Sequence, residues 1–172
     1  TALHGLQPAA LVRQGDCIYI GTEEGVYIYT LSNGILEKLV DVPTGIRVHT
    51  ILCQIFNRIW LATEGDGLYL YDMKTKELKN YRYEDGKSGL NSNYVRSLAL
   101  DTENRLWVGT YGGLNIYKEG SDSFSSIKSS EIQEGSLSQN SVRSIFRDSQ
   151  GGMWPGTYWG GLNYYHPLCN RF

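Results

Sequence analysis

Apolar and aromatic residues fall in short runs separated by glycine, acidic and amide-bearing turns, and one such pattern recurs. It is clearest in Leu106-Trp107-Val108-Gly109-Thr110-Tyr111-Gly112-Gly113-Leu114-Asn115-Ile116-Tyr117. Copies run from Tyr19-Ile20-Gly21-Thr22 to Gly25-Val26-Tyr27-Ile28-Tyr29 and from Trp60-Leu61-Ala62-Thr63 to Gly67-Leu68-Tyr69-Leu70-Tyr71. The last runs from Trp154-Pro155-Gly156-Thr157 to Gly161-Leu162-Asn163-Tyr164-Tyr165. The threonines at 22, 63, 110 and 157 lie 41, 47 and 47 residues apart. A strand-rich period in the forties is that of a propeller blade.

Each copy predicts a hairpin of two β-branched and aromatic strands joined by a turn of two or three residues that ends in glycine. Gly25, Gly67, Gly113 and Gly161 stand where the chain reverses, and glycine takes positive φ there without a Cβ clash. A preceding strand is expected at Val48 to Ile55, Tyr94 to Leu100 and Val142 to Arg147. It is joined to the hairpin through turn-formers such as Asp101-Thr102-Glu103-Asn104 and Asp148-Ser149-Gln150-Gly151. Outer strands are expected near Leu78 to Tyr83 and Ser123 to Lys128, which makes four antiparallel strands per repeat.

The fold class is therefore all-β. About four propeller blades are expected at approximately 1–40, 41–83, 84–128 and 129–172, with the last incomplete because Phe172 falls where its outer strand should start. The first is the most degenerate, with Tyr19 where the others carry Trp60, Trp107 and Trp154. Closure removes exposed sheet edges, so three and a fraction blades suggest a partial propeller, a piece of a longer array whose open blade edges self-associate. Trp60, Trp107, Trp154, Thr63, Thr110 and Thr157 are expected in the blade cores, and Asn115 and Asn163 in polar strand or turn contacts.

Composition narrows the function. With 172 residues, 41% hydrophobic, a mean hydropathy of -0.34 and a net charge of -2, the chain reads as a globular protein without electrostatic bias. Lys plus Arg (16) does not exceed Asp plus Glu (18), which argues against a nucleic-acid partner for this segment. No run of eighteen apolar residues, basic-then-apolar start or lipidation signal occurs, so no membrane helix or export signal is expected within these residues. Cys17, Cys53 and Cys169 lack CxxC spacing, and Cys17 and Cys53 fall inside strand patterns as small hydrophobes. His166 and Cys169 have metal-ligand spacing, but two ligands do not make a site, and no cofactor or metal is expected.

Asn93-Tyr94-Val95-Arg96-Ser97, continuing through Asp101 to Trp107-Val108-Gly109-Thr110-Tyr111-Gly112-Gly113-Leu114, resembles the two-component regulator propeller repeat. Asn140-Ser141-Val142-Arg143-Ser144, through Asp148 to Trp154 and Gly156-Thr157-Tyr158-Trp159-Gly160-Gly161-Leu162, repeats it. The likeness is strong in the third and fourth blades, moderate in the second and weak in the first. It implies a piece of one of the paired seven-bladed propellers in the periplasmic sensor region of hybrid two-component regulators from Gram-negative gut anaerobes, which respond to glycans and switch on genes for their use. The implied parent, anchored in the inner membrane, adds a membrane helix, a histidine kinase and a response regulator with a DNA-binding domain. Partners would then be an oligosaccharide and the parent's remaining blades and domains. Pro155 departs from the pattern by removing a donor inside a hairpin strand, so the fourth blade is expected to be bulged or unpaired there.

In a propeller the inner strands line a channel, and the hairpin turns share a face with the connections between blades. Arg96 and Arg143 each lie eleven residues before a tryptophan, and His49 holds the same place before Trp60. The turns add Glu23, Glu24, Glu64, Asp66, Tyr111, Tyr158 and Trp159. A sugar has apolar C–H faces and a hydroxyl rim, so aromatic platforms beside Arg143 and Arg96 have the chemistry for a glycan, and arginine also suits an acidic sugar or sulfate. The competing account makes the arginines and tyrosines packing elements of the repeat. Trp159, an insertion relative to the third blade, escapes that account.

No GxSxG, HExxH or phosphate loop occurs, and Glu64 with Asp66 on an exposed hairpin tip reads as a pair of solvated acids. A non-catalytic sensor segment is the leading expectation. An interaction scaffold and a glycan hydrolase or lyase are the alternatives.

Overall fold

The computed structural model describes residues 5, 7–43, 45–55, 57–83, 89–132 and 135–166. It is an all-β protein of three four-stranded antiparallel meanders and one two-stranded sheet. The chain divides into two compact units, Thr1–Asn80 and Tyr81–Phe172.

The first unit holds the sheets β1 (Ala10–Gln14), β2 (Cys17–Thr22), β3 (Gly25–Thr30), β4 (Ile35–Asp41) and β5 (Val48–Gln54), β6 (Arg58–Thr63), β7 (Leu68–Asp72), β8 (Leu78–Tyr81), the last strand ending at the unit boundary. Their facing sides share a core that includes Val26, Val48, Ile59, Leu61 and Tyr69. Val48 is fully buried, and a Cβ at Gly21 would come within 2.6 Å of its carbonyl oxygen. The two blades thus approach as closely as a missing side chain permits. Cys17 and Cys53 are free and partly buried against this core, and burial pushes the Cys53 thiol up to about 11, which makes it a packing group.

The second unit contains β9 (Val95–Leu100), β10 (Leu106–Thr110), β11 (Gly113–Lys118), β12 (Ser123–Ile127) and the pair β13 (Val142–Arg147), β14 (Met153–Thr157). Trp107, Leu114, Leu137, Val142 and Met153 form its core. Gly109 repeats the role of Gly21, since a Cβ there would meet Val142 Cγ1 at 2.8 Å.

The fourth repeat, expected to lack only its outer strand, shows two regular strands among the described residues. Its second hairpin strand is reduced to isolated bridges, Met153 with Tyr165 and Gly156 with Leu162, and the place of an outer strand lies outside the described residues. Proline explains the weakening. The Met153 and Tyr165 backbones exchange both hydrogen bonds, at 2.7 and 2.9 Å, whereas two residues along Asn163 donates to the Pro155 carbonyl at 2.9 Å and Pro155 has no N–H to return. On its other side Pro155 still pairs with Ile145, so the position is neither bulged nor partnerless.

Trp60 and Trp107 are fully buried, as are Thr63 and Thr110, but Trp154 and Thr157 are only half-buried, which corrects the expectation that all belong to blade cores. The physical reason lies in the repeat. Trp107 is covered by the fourth blade through Val142 and Met153, whereas Trp154 packs against Tyr164, its ring centroid 4.3 Å away.

Candidate functional site

Two local devices build the blade tips, the first in all four repeats and the second in the last three. In each hairpin the threonine before the turn donates its hydroxyl to the carbonyl of the closing glycine: Thr22 to Gly25 at 3.0 Å, Thr63 to Gly67 at 2.7 Å, Thr110 to Gly113 at 3.0 Å and Thr157 to Gly161 at 3.0 Å. Those glycines all have positive φ, from 74° to 138°, so the turn needs them. At Gly113 space is also limiting, because a Cβ would sit 2.6 Å from the Ile127 carbonyl oxygen.

The second device is a β-bulge in the inner strand. Val48 pairs with Thr63 and Thr50 with Ala62, so His49 is the extra residue. In the same way Val95 and Ser97 pair with Thr110 and Gly109, leaving Arg96 extra, and Val142 and Ser144 pair with Thr157 and Gly156, leaving Arg143 extra. A bulged residue is released from the alternation of the strand and re-aimed. The three positions matched by their distance from tryptophan are thus one structural position, set by backbone rather than by side-chain chemistry.

The tips of the third and fourth blades lie in the second unit. Tyr111 donates its backbone N–H to the Tyr94 carbonyl at 3.1 Å, and Tyr158 donates its own to the Ser141 carbonyl at 2.9 Å. In the third blade the Tyr94 and Tyr111 rings pack 5.3 Å apart. The Arg96 guanidinium lies 4.4 Å from the Tyr111 ring centroid and donates to the Tyr111 hydroxyl. In the fourth blade Ser141 takes the place of Tyr94, and no second tyrosine ring fills the space. A pocket of about 310 Å³ opens there, lined by Tyr111, Ser141, Arg143 and Tyr158. The Arg143 guanidinium is 5.0 Å from the Tyr158 ring centroid, and it makes no hydrogen bond or ion pair among the described residues. Tyr158 stands edge-on to Trp159 at 4.6 Å, and the indole is 81% exposed.

The structure therefore brings together Arg96, Tyr111, Arg143, Tyr158 and Trp159. His49, Glu64 and Asp66 belong to the first unit and are described with it. His49 Nδ1 lies 3.1 Å from the Thr50 hydroxyl oxygen. Glu64 is exposed, but Asp66 is buried, accepting from the Tyr69 hydroxyl and, at 3.4 Å, from the Asn80 amide. The expectation of two solvated acids on one tip fails for Asp66, whose carboxylate is sequestered by its own hairpin. On the first blade Glu23 and Glu24 are exposed, and Glu24 accepts from the Tyr27 hydroxyl at 3.1 Å. His166 Nε2 lies 3.1 Å from the Gln150 carbonyl oxygen, while Cys169 lies outside the described residues.

Sequence reasoning missed several positioning groups. The Trp107 indole donates to Asp101 at 2.9 Å, that of Trp154 to Asp148 at 2.7 Å and that of Trp60 to Gln54 at 2.7 Å, always across six residues. Asp101 and Asp148 read as turn-formers, and they are also tryptophan clamps. The hydrogen bond from Trp154 is the largest cause of the lowered Asp148 pKa. Asn115 and Asn163 hold the entering loops: Asn91 N–H donates to Asn115 Oδ1 at 3.2 Å and Ser138 N–H to Asn163 Oδ1 at 2.9 Å. Ser141, which opens the pocket, was visible only as the residue standing one period after Tyr94.

The family model described as two component regulator propeller matches residues 89–112 and 136–159, the inner strands and hairpin tips of the third and fourth blades. Histidine kinase P4 of Formosa agariphila is 39% identical over 59 residues, covering 34% of this chain and 4% of the kinase. Two crystal structures of the extracellular domain of BT4673 from B. thetaiotaomicron are also similar. In one the protein is described as a putative one component system, with a TM-score of 0.74 and 29% identity over 94% of this chain. In the other it is a putative hybrid two component system, with a TM-score of 0.73 and 28% identity over 92% of this chain. The chain spans 22% and 21% of the length of those two structures. Residues 89–112 and 136–159 are two-component regulator propeller repeats.

Proposed function

We propose that this chain, built on two-component regulator propeller repeats, is part of the extracytoplasmic sensor region of a hybrid two-component signalling protein. Its part is to bind an oligosaccharide without altering it. The observation that carries this reading is the fourth-blade tip, where Tyr111 and Tyr158 flank an unpaired guanidinium and a serine hydroxyl in a pocket of about 310 Å³. Aromatic faces match the C–H surface of a sugar, and the polar groups match its hydroxyl rim. Trp159, exposed and edge-on to Tyr158, adds a second aromatic face at an angle to the first.

The chemistry of the lining supports binding over turnover. Glycoside cleavage by acid–base chemistry uses two carboxyl groups facing one cleft. Arginine keeps its proton at all working pH values and serves as neither acid nor base. In the intact protein, periplasmic and anchored in the inner membrane, occupancy would bias rigid-body states of the propeller and so a histidine kinase that regulates glycan-utilisation genes. That bias requires different affinities for the two states.

The test is calorimetric titration of the chain with a panel of oligosaccharides, with chromatography of the same mixtures after prolonged incubation. Heat of binding with unchanged oligosaccharide is expected. Cleaved product would overturn the non-catalytic reading, and absence of binding across the panel would overturn the glycan reading.

A further inference from the structure

We infer that the fourth-blade tip selects an anionic sugar, one carrying a carboxylate or a sulfate, with Arg143 as the anchor; the inference rests on the glycan-binding reading above. It starts from the difference between two bulged arginines. Arg96 is engaged, stacked on Tyr111 and donating to its hydroxyl, so its role is to position the tyrosine that forms one wall of the pocket. Among the described residues Arg143 stacks on the Tyr158 face and makes no hydrogen bond or ion pair, and it lines the pocket. A guanidinium held by a ring on one side and free at its edge is arranged for a planar pair of anionic oxygens.

Charge placement within the second unit points the same way. Arg96 and Arg143 are at the starts of their strands, beside the hairpin tips, and Lys128 follows β12 at the same end, its Cγ 3.4 Å from the Cβ position of Gly113. Asp101, Glu103, Glu119, Asp122 and Asp148 all lie in the turns at the opposite strand ends. The remaining described acid, Glu131, lines a separate recess with Ser130 and Ser136. Among the described residues the lining of the pocket carries the Arg143 charge and no competing carboxylate. A neutral sugar would satisfy the hydroxyl donors and acceptors of Ser141, Tyr111 and Tyr158 but would leave the Arg143 charge uncompensated as the pocket is desolvated.

Ser141 supplies the specificity test, because the repeat shows what fills its place. Tyrosine is accommodated at the equivalent position 94, so Ser141→Tyr is expected to fold and to occlude the pocket. The decisive experiment titrates the chain with matched pairs: uronate oligosaccharides against their carboxyl-reduced forms, and sulfated oligosaccharides against their desulfated forms. At least one acidic series is expected to bind roughly tenfold or more tightly than its neutral counterpart, and Arg143→Gln should cost about 10- to 100-fold for that series while sparing the neutral one. Arg143→Lys should recover part of the loss for sulfate and less for carboxylate geometry. Ser141→Tyr should abolish both. Equal binding of acidic and neutral members, or an acidic preference that survives Arg143→Gln, would overturn the inference while leaving the glycan reading intact. No binding by any member would overturn both.

Discussion

The third and fourth blades are the same repeat read twice, 47 residues apart, and one is closed where the other is open. In the third, Trp107 is fully buried, its clamp Asp101 is buried with it, and Tyr94 covers the tip. In the fourth, Trp154 is half-buried, Asp148 reaches solvent, and Ser141 leaves a pocket at the tip. Fold and site therefore come from one template, and the site appears where the template relaxes. Replacing the packing group of one blade by serine in the next leaves a pocket, because the bulge and the threonine–glycine turn hold the remaining groups in place.

The largest expected break in this comparison is at the clamp. Asp101 accepts from the backbone of Glu103 and Arg105, from the Arg105 side chain and from Trp107. Asp101→Ala strands those donors in a buried place and is expected to cost about 3–5 kcal/mol in chemical denaturation. The matching Asp148→Ala should cost distinctly less; equal losses would show that the fourth blade is as closed as the third. Next in size is the close approach at Gly21, where a Cβ would meet the Val48 carbonyl at 2.6 Å. Gly21→Ala should cost roughly 1–3 kcal/mol, since backbone cannot swing aside as a side chain can.

Exchanging the tips sharpens the comparison further. Tyr94→Ser should cost about 0.5–1.5 kcal/mol by removing the ring packed on Tyr111, and it tests whether opening the third tip creates a second pocket for the same probes. Trp159→Ala should leave the melting temperature unchanged, given an 81% exposed side chain, and weaken oligosaccharide binding by roughly 3- to 10-fold. An unchanged affinity would remove the indole from the site.

The smallest effect is in pH. Hydrogen bonding from Trp154, then from the Gly152 and Gln150 backbones, holds the Asp148 carboxyl below the usual aspartate range. A depressed value means the contribution to stability is complete above the ordinary pKa, about 3.9, and is lost as pH falls through the lower folded value. Trp154 fluorescence should therefore report the loss of this clamp only in strong acid, and Asp148→Asn should abolish that step.

Much of this was legible in the residues because a repeat is a comparison already made. The strands Val48–Gln54, Val95–Leu100 and Val142–Arg147 fall within a residue of where alternation and turn-formers place them. The shared position of His49, Arg96 and Arg143 follows from counting back to tryptophan. What counting does not reveal is three-dimensional pairing. The bulge is a property of two strands, so no single strand announces it. Asp66 looked solvated because its neighbours in the chain are a glutamate and glycines, while its burial comes from Tyr69 and Asn80. Pro155 was visible as a defect, but its consequence depends on whether the missing N–H faced Ile145 or Asn163, which register alone decides.

The bulged position also bears on how such a surface changes over generations. Its side chain is excused from the ladder and from the core, so mutation there meets little resistance from folding. Here it carries an imidazole once and a guanidinium twice. Each such unit holds an exchangeable socket on an unaltered frame, and new side chains can be drafted there one codon at a time while the blade beneath stays as it was.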